Sequence, residues 1–316
     1  MKATGGRLIH WVLLAGLLTA ATLIVLVWST HGVGYPNPAD ARRSVDQLSQ
    51  NGARDREFAV TRLLLLCLDD LSNGDNSGAV THCSSVTNID PQNVTAYKLR
   101  GNAYLHSRRP QQAVEDFTRA LTLSPADADT IRFRANAYVA QKRDALALAD
   151  YDRAIILTPD IPINFQLRGY LYQIRGKYRL AIADFSTAIE MQPRLASAWN
   201  SRCWTRGVAG IDLAAALSDC DKAIALAPSN ANAWDSRGLV FLKLGRYRDS
   251  IESYSTALKR DPRLATSLFG RAVAKLRIND RTAPKDLADA KAIQPGIEAE
   301  FLGYGIRLKA NGPQGT

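Results

Sequence analysis

Residues that perform chemistry are scarce in this chain. Its four histidines, His10, His31, His82 and His106, stand at no metal-ligand or triad spacing, and HExxH, GxSxG, GxGxxG and CxxC are all absent. Gly176-Lys177 is no phosphate loop, because the upstream glycine spacing is wrong and Tyr178 follows where Ser or Thr is needed. Asn93-Val94-Thr95 matches a glycosylation acceptor, but one such triplet is expected by chance. The common hydrolytic, nucleotide-binding and zinc sites are thereby excluded. No enzyme activity, cofactor or metal is expected.

Charge is missing from one long stretch. Residues 8–28, LIHWVLLAGLLTAATLIVLVW, contain no Lys, Arg, Asp or Glu. As a helix they would span about 30 Å, the hydrocarbon thickness of a bilayer, with Trp11 and Trp28 near the two interfaces. A secretory signal has a shorter apolar region, roughly 7–15 residues, and a small-residue cleavage site, which does not follow here. A retained anchor is therefore favoured over a cleaved signal. Leu17 stands where a lipidated cysteine would be needed after Leu14-Ala15-Gly16, which excludes lipid anchoring through that motif. Lys2 and Arg7 lie close to the span, whereas Arg42 and Arg43 lie well beyond it. The positive-inside tendency then puts the N-terminus in the cytoplasm and the rest outside it, in a bacterial periplasm or its equivalent. The expected layout is a cytoplasmic N-terminus and anchor over 1–30 and a polar juxtamembrane linker over 31–53.

The totals leave partners open. A net charge of +10 and a pI near 9.6 keep nucleic acid, anionic lipid and acidic partners under consideration. Prolines at 91, 125, 159, 193, 228, 262 and 295 are separated by 34, 34, 34, 35, 34 and 33 residues. The best unit, AYKLRGNAYLHSRRPQQAVEDFTRALTLSP at 96–125, holds two amphipathic helical patterns, a polar turn and a stopping proline. Each period reads as a helical hairpin.

A first aromatic position is filled by Tyr97, Ile131, Phe165, Trp199, Trp234 and, more loosely, Leu268, and a small-residue position by Gly101, Ala135, Gly169, Cys203, Gly238 and Ala272. A tyrosine position holds Tyr104, Tyr138, Tyr172, Arg206, Phe241 and Lys275, and the aromatic position of the second helix holds Phe117, Tyr151, Phe185, Cys220, Tyr254 and Leu287. This pattern resembles the tetratricopeptide repeat family, in a membrane-anchored, bacterial-type form. The resemblance implies an all-α, right-handed superhelical solenoid: a degenerate first repeat over 54–91, six repeats over 92–295, and a capping helix and tail over 296–316 that cover the last repeat.

The resemblance also implies a concave groove, lined by the first helix of each repeat, that takes an extended peptide or a partner helix. Lys98, Asn102, Arg132, Asn136, Gln166, Tyr170, Asn200 and Trp204 fall on its outward-looking positions, where they are either a ligand surface or simply a solvated one. Lys98 and Asn102 resemble the start of a clamp for chaperone C-termini, but Phe133, Ile163 and Leu167 stand where its other residues would be required. A chaperone-tail adaptor is not expected.

Two charge ladders share the period. Arg100, Arg134, Arg168, Arg202, Arg237 and Arg271 precede the small position, and Asp116, Asp150, Asp184, Asp219 and Asp286 precede the second aromatic one, with Ser253 breaking the series. Opposite ladders beside packing positions are expected to pair with each other rather than to bind a polyanion. A second basic set, Arg108, Arg109, Lys142, Arg143, Arg175, Lys177, Arg179, Arg246 and Arg248, falls at the turns within repeats. It is either a row of ordinary solvated turns or a basic edge for anionic lipid or an acidic polymer. Nucleic acid is not the expected partner.

Within the repeat frame, Cys203 and Cys220 take the small and second aromatic positions of one repeat, and Cys67 and Cys83 take the same two positions of the first. The family packs those helices antiparallel, so the resemblance implies two within-repeat disulfides. Disulfides persist in oxidising compartments, which agrees with repeats outside the cytoplasm. The functional expectation is a membrane-anchored interaction scaffold. The alternatives are a cytosol-facing import or targeting receptor and a binder of anionic lipid or polymer.

Overall fold

The computed structural model describes residues 53–308. The apolar stretch at 8–28, the linker up to 52 and the tail from 309 lie outside the described residues. Among the described residues there are fifteen α-helices and no strand, and no helix is long and apolar enough to cross a membrane. Two compact units divide between Thr158 and Pro159.

The first unit holds α1 (Ala53–Asn73), α2 (Asn76–Ile89), α3 (Val94–His106), α4 (Pro110–Leu123), α5 (Ala128–Ala140) and α6 (Asp144–Leu157). Asp75, Asn93 and Asp127 start α2, α3 and α5 by accepting the amides of Gly78, Ala96 and Thr130, which satisfies donors the helix itself leaves open. α1 packs on α2, α3 on α4 and α5 on α6, and between these hairpins α2 packs on α3 and α4 on α5. The close contact inside a hairpin is between Gly101 and Phe117: a Cβ on Gly101 would lie 2.6 Å from the ring. The ring of the second helix therefore occupies the space that a side chain would need on the first.

The second unit repeats this arrangement in α7 (Pro162–Ile174) with α8 (Tyr178–Met191), α9 (Ala196–Ala209) with α10 (Leu213–Leu226), α11 (Ala231–Lys243) with α12 (Tyr247–Arg260), and α13 (Ala265–Arg277) with α14 (Ala283–Ile293). Gly169 faces Phe185 and Gly238 faces Tyr254 in the same way. At Cys203 and Cys220 the glycine and ring are both replaced, the Cα atoms stand 5.4 Å apart and the sulfurs are within bonding distance. Cys67 and Cys83 meet across α1 and α2 with Cα atoms 5.7 Å apart. Both pairs are fully buried.

The terminal helix packs on α13 and α14 of the last repeat, and the chain then extends beyond it. After α15 (Ile297–Gly303), the chain turns at Gly305 (φ 74°) and places Ile306 in the same apolar cluster as Val208 of α9, Leu239 of α11 and Phe269 of α13. Apolar residues at 297, 301, 304 and 306 draw the segment across three first helices, so it covers more than the sixth repeat.

The turn inside each hairpin needs one residue in the left-handed region. Gly176 (φ 69°) and Gly245 (φ 71°) supply it cheaply, whereas Arg108 (φ 57°) and Lys142 (φ 59°) hold it against their Cβ atoms. Arg108→Gly and Lys142→Gly are each expected to raise stability by about 1 kcal/mol in urea unfolding. Cys203→Ala is expected to lower it by about 3 kcal/mol on the chain-entropy estimate, and reductant should lower the melting temperature of the wild type but not add to the loss at that hairpin.

Candidate partner-binding faces

The arginine ladder is internal to the fold. Arg100, Arg134, Arg168, Arg202 and Arg271 each make two bonds of 2.7–2.9 Å to Asp116, Asp150, Asp184, Asp219 and Asp286 respectively. The fork fixes the first helix against the second. Four of these arginines also reach a hydroxyl on the second helix of the preceding repeat: Ser84 and Thr87, Thr118, Ser186 and Ser255. Where Ser253 breaks the aspartate series, the counter-charge moves to that preceding helix, and Arg237 bonds Asp221 at 3.1 Å.

The charged residues in tyrosine positions join the same scheme. Asp219 accepts from Arg206 as well as Arg202, and Asp286 from Lys275 as well as Arg271. Burial works to raise the Asp286 carboxyl, and its two cationic partners outweigh it, holding it below the ordinary carboxylate range. At Asp116, with one arginine, burial wins and the carboxyl is raised. In the first repeat the pair is inverted: Asp70 takes the tyrosine position and His82 the aspartate position, with Nδ1 and Oδ2 2.6 Å apart.

The turn residues Arg108, Arg109, Lys142, Arg143, Arg175, Lys177, Arg179, Arg246 and Arg248 are all exposed. Some also serve the fold: the guanidinium groups of Arg109, Arg143 and Arg246 lie over Tyr104, Tyr138 and Phe241, 4.5–5.3 Å from the ring centres.

On the first-helix face of the first unit, α3 and α5 bring together Lys98, Asn102, Arg132 and Asn136, all half-buried. Lys98 Nζ donates to Asp127 at 2.6 Å, Arg132 pairs with Asp129, and Asn136 accepts the Tyr151 hydroxyl at 2.5 Å. Burial works to raise the Asp127 carboxyl, but the bonds from Lys98 and Thr130 leave it lowered. The face is polar, with its charges already matched.

The face of the second unit departs from expectation. Gln166 does not look outward: it is 4% exposed and donates to the Tyr170 hydroxyl and Ser197. Its amide is long enough to link neighbouring first helices, and that bond draws it inward. Tyr170 in turn accepts from Ser201 and packs edge-on against Phe185. Asn200 lies on this face with its buried Oδ1 unpartnered among the described residues. Trp204 is covered by Tyr304, ring centres 5.5 Å apart. Lys243, Phe269 and Arg277, which line the same face, do not stand out in the sequence. The available signal was the apolar spacing of IEAEFLGYGI against Val208, Leu239 and Val273.

The family described as tetratricopeptide repeat matches residues 94–127, 164–195 and 231–264. The chain carries tetratricopeptide repeats. Among solved structures, a tetratricopeptide repeat protein from Parabacteroides merdae is 18% identical with a TM-score of 0.63, over 79% of this chain and 99% of its own. The pilF protein of Pseudomonas aeruginosa is 19% identical with a TM-score of 0.56, over 68% and 96%. A chain of the APC/C hetero-tetramer is 16% identical with a TM-score of 0.62, over 81% and 49%. These likenesses show the repeat fold. No curated protein matches significantly.

One acidic group of the repeats titrates inside the fold. Asp235 is buried, and burial pushes its carboxyl from 3.8 up to about 6, against the opposing bonds from Ser267 and Thr266. The folded state holds this proton more tightly than the unfolded chain does. Its contribution to stability is therefore greatest below about pH 4 and is lost as the pH rises to about 6. Asp235→Asn should be more stable than wild type at pH 7, by on the order of 3 kcal/mol, with the difference vanishing near pH 4 in urea unfolding across that range.

Proposed function

We propose that this protein is a membrane-anchored interaction scaffold whose repeats lie outside the cytoplasm and whose first-helix face in residues 98–136 binds a peptide or helix of another protein. The single observation behind the binding face is the polar row Lys98, Asn102, Arg132 and Asn136, set on rigid helices by hairpin packing. The row presents hydrogen-bonding groups, and the described residues contain no cluster of His, Cys, Asp and Glu that could hold a metal ion. The APC/C relative, from a hetero-tetramer, is an example of this fold within an assembly. Anchoring rests on the uncharged run at 8–28, and orientation on Lys2, Arg7 and the two buried cysteine pairs.

A specific observation also favours a second role for the turn edge. Arg108 and Lys142 keep basic side chains at left-handed positions where glycine costs less, and local backbone cost retained at a surface is a signal of function. This edge would meet anionic lipid or an acidic polymer.

The test compares proteins recovered from native membranes with the wild-type chain and with a Lys98→Ala, Asn102→Ala, Arg132→Ala, Asn136→Ala variant. A partner retained by the wild type should be lost from the variant while circular dichroism stays unchanged; equal recovery would remove the binding face from the proposal. Thiol titration on the same material, with and without reductant, should find no free thiol before reduction, and four before reduction would place the repeats in the cytosol, as in an import or targeting receptor. Charge reversal at Arg108, Arg109, Lys142 and Arg143 together should weaken binding to anionic liposomes at least about tenfold, since each basic residue near a charged membrane contributes about 1 kcal/mol.

A further inference from the structure

Three groups in the second unit bond to the main chain of the terminal segment rather than to carboxylates. Lys243 Nζ donates to the carbonyl oxygen of Tyr304, Arg277 Nη1 to that of Leu308 at 2.9 Å, and Arg277 Nη2 to that of Arg307 at 2.6 Å. Neither Lys243 nor Arg277 is in an ion pair among the described residues, although aspartates serve the ladder arginines nearby. Burial depresses the Lys243 ammonium, as it does for a cation given only neutral acceptors. Such bonds hold a backbone without reading its side chains.

The side chains of the segment are read separately. Phe301 packs on Phe269 with ring centres 4.7 Å apart, and Tyr304 stands edge-on to Trp204. Ile306 enters the cluster of Val208, Leu239, Leu242 and Val273, and Leu308 packs against it, while Leu302 and Arg307 face solvent. The sequence positions 301, 304, 306 and 308 thus follow one turn of helix and then an extended alternation. Val208, Leu239, Leu242 and Val273 stand on α9, α11 and α13, each the first helix of its repeat, while the start of the segment is also tied to α14, where Lys291 pairs with Glu298 at 2.6 Å. None of the arginine–aspartate pairs or the cysteine pairs includes a residue of the segment.

We infer that the first-helix face of the fourth to sixth repeats is a peptide site, and that residues 297–308 are its built-in occupant. The ligand it takes is a peptide with aromatic side chains at positions 1 and 4 and aliphatic ones at 6 and 8, held through its carbonyl oxygens by Lys243 and Arg277. The chain's own segment competes with such a peptide, so this site is closed until the segment is displaced. This deepens the scaffold reading and rests on it, yet it concerns a separate face from residues 98–136. Failure here would leave partner recovery by that first face untouched, and the reverse also holds.

The experiment uses the full chain and a fluorescent peptide, IEAEFLGYGIRL, identical to residues 297–308. Tyr304→Ala with Ile306→Ala weakens the built-in occupant and should bind the peptide at least about tenfold tighter than wild type does, because a competent face no longer has to be vacated. Adding Arg277→Met to that variant should abolish the gain. A folded double variant that binds no better than wild type would overturn the proposal. Should the double variant not fold, hydrogen exchange on the wild type decides. Amides of residues 304–308 exchanging at least about tenfold faster than those of α13 support a segment that opens by itself, and exchange in step with α13 would make it a fixed part of the fold and overturn the proposal.

Discussion

The repeats depend on one close approach, between the small-residue position of the first helix and the aromatic position of the second. At Gly101, Gly169 and Gly238 the ring of Phe117, Phe185 or Tyr254 fills the volume that a Cβ would take. Helix separation in the hairpin follows from that contact, and the placement of every other side chain follows from the separation. The cysteine repeats meet the same constraint differently. A disulfide spans the gap with Cα atoms 5.4 or 5.7 Å apart, replacing the glycine and the ring together.

Once that spacing is set, the arginine before the small position reaches the carboxylate before the aromatic one. The fork is bidentate, so it fixes the rotation of the two helices about each other as well as their distance. Its remaining nitrogen reaches the preceding repeat, which makes the ladder a joint between hairpins as well as within them. The exchange of Asp for Ser253 with Asp221 supplied from the preceding helix shows that the position needs a counter-charge, whichever helix provides it. A buried guanidinium left without a carboxylate would carry a large desolvation cost.

Much of this was legible beforehand. A period of 34, small and aromatic positions in register and two charge ladders of opposite sign predict the hairpins and the pairing of the ladders, and the resemblance to the repeat family implies the juxtaposition of Cys203 with Cys220. Those features are local, or repeat at a fixed interval, so each repeat predicts the next. The candidate faces were less legible. Gln166 reads as outward by helical position, yet a bond to Ser197, a residue of the next first helix, turns it in. Trp204 reads as an open groove residue, and a segment a hundred residues later in the chain covers it.

The sequence by itself determined the helical hairpins and which positions carry paired charge, because periodicity states these things many times over. It also determined that the region at 8–28 is apolar enough to span a bilayer. The tertiary structure alone decided where residues 297–308 lie and which basic side chains hold their carbonyl groups. That segment occurs once, outside the repeat, and its placement depends on apolar surface contributed jointly by α9, α11 and α13. No pattern within the segment can state a surface that exists only after three hairpins have stacked.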